Sequence, residues 1–381
     1  MLRIGVIGYG QRARNFLRGI GAYGIPAGVT AVADPRWREL CGDSESGLSD
    51  TVRMYEDADA MLDREALDGV VVGTNCHLHT RMACKVAGRD LPLFLEKPVA
   101  TSFGEVAVLQ EAFAGKQAPV VVSFPLRVTP VIDKVREIIA SGEIGTIENV
   151  VAWNDVPYGA VYYRAWYRNW DQVGGLWLQK ATHDLDVIAF LLGQSAHRVC
   201  AMCSQRVYGG DKPFDLHCEE CDERETCPES PFTLFRERFQ GKKVTYPRAR
   251  THCCFSDGIR NQDCGSCIVE FANGVQATYT QNFFARNRAG RRGARLYGYR
   301  GTIEFDWHRG YVKVFSHRRP TEATIDFTGG LSHFGGDREL VYDFLMAMRD
   351  GRPSRSGIEA GIRSALLCLC ARQSADTGQF V

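Results

Sequence analysis

Short apolar runs recur along the first third of the chain with little polar alternation. They are Arg3–Ile7, Gly28–Ala33, Gly69–Gly73, Leu93–Leu95 and Pro119–Ser123, rich in Val, Leu and Ile. Such runs predict parallel strands buried on both faces. Helical stretches lie between them, so a βαβ order and a doubly wound sheet are expected over residues 1–125. A further helix is predicted from about Pro130 to Ala140, ended by Ser141-Gly142.

From Ile147 the texture changes. Strand-like segments dominate: Ile147–Ala152, Arg198–Gln205, Cys267–Phe271, Gln276–Gln281, Ala294–Tyr297, Thr302–Phe305 and Tyr311–Phe315. Turns such as Asn273-Gly274 and Arg300-Gly301 separate them, which suits an antiparallel sheet. One strong helix, about Leu176–Leu192, interrupts the strands and stops at Gly193; two more close the chain near Asp337–Arg349 and Ile358–Ser374. The expected second unit, residues 126–381, is therefore an α+β domain with an open, mainly antiparallel sheet. Residues 208–261 show little regular pattern and are expected to leave the sheet as an irregular excursion.

The chain has 381 residues, enough for two domains. A hydrophobic content of 45% with 24% charged residues fits an ordinary globular protein. The formal net charge of +1 argues against nucleic acid or an anionic membrane as partner. No apolar stretch is long enough to span a bilayer, and an apolar strand is under way by Arg3, so a cytoplasmic location is expected. The fourteen cysteines then read mostly as reduced thiols.

The segment GVIGYGQRA places Gly8, Gly10 and Ala13 at G-x-G-x-x-A spacing, after a strand and at the opening of a helix. Gly8 permits the tight turn, Gly10 lets the backbone approach a pyrophosphate, and a small residue at Ala13 allows close helix–strand packing. Free N–H groups at the helix start face the phosphate. Asp34 ends the next strand, where its carboxylate would accept from an adenosine ribose and repel a 2′-phosphate. Together these predict a Rossmann domain that binds NAD. Arg36 and Arg38 lie just beyond and keep NADP open as the less favoured cofactor.

Three more segments carry a family resemblance. They are LFLEKP with Glu96-Lys97-Pro98, GTNCHLH at 73–79, and GGLWLQKATHDLD at 174–186. With the glycine motif, and with Gly336-Asp337 and the final Ser-x3-Gly-x2-Val, the chain resembles the glucose–fructose oxidoreductase / inositol dehydrogenase / MocA (Gfo/Idh/MocA) family over nearly its whole length. The resemblance implies an N-terminal Rossmann domain, a C-terminal domain with an open sheet, and homodimers or homotetramers joined through that sheet. It implies oxidation or reduction of a secondary alcohol on a sugar, cyclitol or related polyol. Gly8, Gly10, Gln11, Arg12, Ala13, Asp34, Thr74, Asn75, His79, Glu96 and Lys97 are expected to line the cofactor. His79 reads equally as a nicotinamide neighbour or a helix-start histidine.

Hydride transfer from an alcohol needs a base for the hydroxyl proton. Lys97 ends a parallel strand at the carboxyl edge, where open α/β sheets bind ligands. Near an oxidised nicotinamide its pKa should fall, which suits proton transfer. Gln179, His183 and Asp186 share one face of the predicted helix, so His183 is a candidate base oriented by Asp186 or Asp184. The family usually has Asp four residues before this histidine, where this chain has Gln179, which is neither acid nor base. Lys180 follows it and becomes the third candidate for proton transfer, expected to act on the substrate oxygen directly. The resemblance implies a substrate-facing basic residue at Arg127, and Gln179 and Asp186 are expected at the substrate; the aromatic run Tyr162, Tyr163, Trp166, Tyr167 and Trp170 reads equally as packing or as sugar contact, the latter through Trp166. The Gln179/Lys180 departure also keeps open a redox-neutral, NAD-assisted glycoside hydrolase or lyase of the same fold. A non-catalytic sensor is disfavoured by the intact Lys97 and His183.

The excursion carries Cys218-x2-Cys221-x5-Cys227, followed by His252-Cys253-Cys254. A C-x2-C pair in a coreless loop can chelate zinc, so a structural Zn²⁺ on Cys218, Cys221 and Cys227 with Cys253 or Cys254 is expected alongside the plain reading of reduced thiols.

Overall fold

The computed structural model describes residues 1–42, 46–234, 251–327 and 332–381. Six strands open the chain: β1 (Leu2–Ile7), β2 (Ala27–Ala33), β3 (Arg53–Tyr55), β4 (Gly69–Val72), β5 (Leu93–Leu95) and β6 (Val120–Val122). They form one parallel sheet in the order β3-β2-β1-β4-β5-β6, the doubly wound arrangement. Every residue of β4, β5 and β6 is buried, as in strands covered by helices on both sides.

The second sheet holds β7 (Ile147–Asp155), β8 (Ala196–Ser204), β9 (Cys264–Phe271), β10 (Gln276–Asn282), β11 (Arg291–Gly298), β12 (Gly301–Asp306), β13 (Tyr311–Ser316) and β14 (Glu322–Asp326). Its order is β14-β13-β12-β11-β7-β10-β9-β8, antiparallel except where β7 and β10 run parallel. One face packs on the helices Pro130–Ala140, Thr182–Leu192 and Ile358–Thr377, and β9 alternates accordingly between buried and more exposed positions.

The two short strands β3 and β14 are absent from the sequence pattern. β3 has only three residues, and β14 is a largely exposed edge strand reading Glu-Ala-Thr-Ile-Asp. The two C-terminal helices lock the domains together. Gly336–Asp350 packs Phe344 against Phe16 of the first helix and Phe94 of the first sheet, although it lies within residues 126–381. Ile358–Thr377 crosses both halves: Gly361 sits so close to the first domain that a Cβ there would lie 2.7 Å from Val99, while Ser364 bonds Thr182 of the second.

Of the irregular excursion, residues 235–250 lie outside the described residues. The remainder is organised by buried polar groups. Asp263 accepts from the backbone N–H groups of Arg206, Val207 and Tyr208, and Glu229 takes Arg164 and Arg286 at 2.7 Å each.

Candidate active site

The site begins at the glycine turn. Gly8 has φ +82°, and a Cβ there would lie 2.7–2.9 Å from Thr74. Only glycine fits this position. A Cβ on Gly10 would meet nothing nearer than the Gly73 carbonyl at 3.6 Å, so the front of the turn is open. A Cβ on Gly73 would lie 3.0 Å from that of Ala13, the close helix–strand approach the motif predicts. The carboxylate of Asp34, at the end of β2, accepts from the N–H groups of Tyr9 and Arg36 at 2.9 Å each. Arg12 leaves the helix start to pair with Glu96 and Asp337 at 3.2 Å each, drawing three chain segments to the sheet edge. An open glycine cradle with an acid at the next strand end fits a dinucleotide.

Glu96 and Lys97 follow β5, and the Lys97–Pro98 peptide is cis. Both nitrogens of buried His79 face carbonyls, Nδ1 at 2.7 Å from Pro98 and Nε2 at 2.9 Å from Thr74. Burial lowers the His79 pKa against the pull of both carbonyls. His79 is thus a brace between the two turns that face the cradle. Asn75 reaches across to Gln172 of the second domain at 3.2 Å.

Lys97 Nζ donates to the backbone carbonyl of Gln179 at 2.7 Å. Residues Trp177–Ala181 form a π turn ahead of the helix Thr182–Leu192. The spacing argument that put Gln179 on one face with His183 assumes an α-helix throughout, and the π turn alters it. Burial is the main cause lowering Lys97 to about 8, with Lys180 and Arg12 adding repulsion and Cys76 and Glu96 opposing. The Gln179 side chain accepts from the Cys76 thiol at 3.5 Å.

His183 is buried with its ring edge-on to Phe124, 6.1 Å between centroids. Both acids once assigned to orient it are engaged by arginines. Asp186 grips Arg127 through two bonds of 2.6 and 2.8 Å. Asp184 grips Arg292 at 2.6 and 3.1 Å and also accepts from Asn154 and Tyr279. Arg127 and Asp186, both expected at the substrate, bond each other, and the Arg127 guanidinium stacks 4.4 Å from the Phe190 ring.

Lys180 is buried and donates to the hydroxyl of Tyr158 at 2.6 Å. Tyr158 lies just past the end of β7 in the turn Pro157-Tyr158-Gly159, which the sequence reading missed. Glycine at 159 is required, because a Cβ there would lie 1.9 Å from the Phe283 carbonyl oxygen. Burial above all, with Cys76 and Glu96 adding to it, raises the Tyr167 phenol above its usual pKa. Trp166 is partly exposed and packs 4.2 Å from Tyr167. Arg292 and Tyr158 carried no local sequence signal beyond a Pro-Tyr-Gly turn.

Among the described residues no three His, Cys, Asp or Glu side chains converge to hold a metal ion. The expected zinc staple of Cys218, Cys221, Cys227 and Cys253 is corrected accordingly. Burial pushes the Cys218 thiol up to about 11, and its Sγ points at the His252 carbonyl. The excursion is held by the Asp263 and Glu229 bonds instead. Among the described residues no helix is long and apolar enough to cross a membrane.

A glycine cradle, a strand-end acid and a lysine of the first domain set on the main chain beside Lys180 of the second fit an NAD-dependent oxidoreductase. Residues 2–124 match the family model for the NAD-binding Rossmann fold of the oxidoreductase family, and residues 132–304 match the GFO/IDH/MocA C-terminal domain. The chain belongs to the Gfo/Idh/MocA family of dehydrogenases. It is 26% identical to the oxidoreductase YteT of Bacillus subtilis (strain 168), over 87% of this chain and 85% of that protein. It is 28% identical to inositol 2-dehydrogenase 2 of Saccharopolyspora erythraea, over 51% of this chain and 54% of that one. The solved structure of levoglucosan dehydrogenase with NADH and levoglucosan shares the fold, with a TM-score of 0.77 at 19% identity, covering 100% of this chain and 98% of that one.

Proposed function

We propose that this protein transfers a hydride between NAD and a secondary alcohol of a sugar, cyclitol or related polyol bound between its domains. One observation carries the reading: the strand-end Lys97 of the first domain reaches the main chain beside Lys180 of the second. Substrate held there meets the cofactor cradle on one side and basic groups on the other. When bound, the nicotinamide supplies the hydride acceptor or donor. Gly8, Gly10, Gln11, Arg12, Ala13, Thr74, Asn75 and Glu96 would hold the dinucleotide, with Asp34 favouring NAD over NADP.

Lys97, His183 and Lys180 would serve the proton transfer. Lys97 suits this role because burial leaves much of it neutral near pH 8. The inositol and levoglucosan dehydrogenases among the similar proteins support the polyol class. A screen of free sugars, sugar acids and glycosides, following NADH and released aglycone together, tests the reading. NADH formed from a free polyol is expected. Aglycone released with no net NADH would replace it with redox-neutral chemistry. Lys97→Met, His183→Ala and Lys180→Met should each lose about 10²–10⁴-fold in turnover while still binding NAD. Near-normal turnover of His183→Ala would remove that helix from the site.

A further inference from the structure

We propose that the phenol of Tyr158 is the group that exchanges a proton with the substrate hydroxyl, and that Lys180 acts through it as a positioning residue. The proposal rests on the dehydrogenase reading above and assigns the terminal proton carrier within that site.

Exposure separates the two partners. Lys180 is 6% exposed and Tyr158 is 52% exposed. The ammonium lies beneath the phenol, 2.6 Å from its oxygen, 4.7 Å from the centre of the Tyr158 ring and 5.8 Å from that of Tyr162. A substrate in the cleft therefore meets the tyrosine, with the lysine behind it. Lys97 Nζ is already directed at the Gln179 carbonyl, which leaves Tyr158 as a separate polar group on the second-domain wall.

The turn is rigid enough for the task. Val156 N–H bonds the Asn282 carbonyl at 2.9 Å, and Gly159 is pressed on the Phe283 backbone, so Tyr158 is fixed between the ends of β7 and β10.

The charges around the phenol favour its ionised form. Lys180 from the π turn and Arg292 from β11 face it, with Asp184 from the catalytic helix as the opposing anion and Tyr162 and Tyr167 as neutral neighbours. Asp184 is held by Arg292 through two bonds, so its charge is largely matched before it reaches Tyr158. Lys180 foremost, aided by Arg292 and opposed by burial, holds the Tyr158 pKa below the usual phenol value.

In the oxidation direction the phenolate oxygen takes the proton of the substrate hydroxyl. The substrate O–H bond breaks and the Tyr158 O–H bond forms. Bound NAD⁺ would supply the acceptor for the carbinol hydrogen and its electron pair, which leaves the substrate as the carbonyl product. Tyr158 then returns its proton to solvent.

Two measurements test this. The first is ultraviolet difference titration of phenolate absorbance on the full-length protein without substrate. Wild type should ionise one phenol below the ordinary value of about 10, and both Tyr158→Phe and Lys180→Met should lose that step. The second is the pH profile of NAD reduction with myo-inositol and with levoglucosan as probes. Tyr158→Phe should lose about 10²–10⁴-fold in kcat with NADH binding unchanged. Lys180→Met should move the ascending limb of the profile to higher pH, and Lys180→Arg should restore most of the shift. A titration unchanged in Tyr158→Phe, or turnover within about twofold of wild type, overturns the proposal while leaving the dehydrogenase reading intact. If neither probe reduces NAD but the low-pH phenol step disappears in both variants, the polyol reading fails and the ionising pair is supported.

Discussion

Lys97 Nζ sits 2.7 Å from the backbone carbonyl of Gln179, so a side chain of the first domain rests on the main chain of the second. Buried at this contact, Lys97 is lowered from 10.5 to about 8. Its neutral form can take up a proton within the site, so oxidation by the wild type should gain a limb that rises through about pH 8, separate from that of the Tyr158 phenol. Lys97→Met should lose that limb together with most turnover. Steady-state profiles of both proteins decide it, and a limb retained near pH 8 in the variant would reassign it to another group.

The same shift bears on stability. Between about pH 8 and 10.5 the unfolded chain keeps the Lys97 proton and the folded chain does not. The cost of burying the charge is therefore full below pH 8 and relieved as pH climbs towards 10.5. At about 1.4 kcal/mol per unit the cost is at most about 3 kcal/mol, less about 1 kcal/mol for the hydrogen bond to Gln179. Lys97→Met should thus unfold at higher denaturant than wild type at pH 7, with the gap closing by pH 10. A gap independent of pH would mean that Lys97 is not desolvated.

Asp34 is held by the Tyr9 and Arg36 N–H groups, with its carboxylate at the strand end. Wild type should bind NAD more tightly than NADP, and Asp34→Ala should narrow the difference by weakening NAD and admitting the 2′-phosphate beside Arg36. Calorimetry with both cofactors measures this. Tighter NADP binding by the wild type would reverse the assignment.

Asp184 joins Arg292, Asn154 and Tyr279 in one buried network behind the cleft. Asp184→Ala would strand a buried guanidinium and should cost about 3–5 kcal/mol in urea unfolding. A loss below about 1 kcal/mol would show that the pair behaves as a surface ion pair.

Among the described residues the second sheet packs helices on one face, and Met202 and Ile268 stand 78% and 49% exposed on its strands. Pairing of two sheets would cover such positions. Light scattering at micromolar concentration should find a homodimer or homotetramer, and a monomer would exclude this.

Local pattern alone set the glycine turn, the buried strands β4, β5 and β6, and Lys97 at a strand end, because each depends on residues adjacent in the chain. The helix at 176–192 was legible as apolar and periodic, but its π turn was not, since Trp177–Ala181 differ from α-helix in hydrogen-bond register and not in composition. Long-range pairing decided the rest. Nothing beside Arg127 in the chain marks its partner, yet Asp186, 59 residues away, pairs with it. Arg292 is 108 residues from Asp184 and had no local mark at all. A buried charge seeks whichever opposite charge the packing brings within bonding distance, and sequence spacing does not encode that distance. For the same reason Lys180 read as a group for the substrate oxygen, and only the turn that places Tyr158 over it shows which atom its ammonium meets.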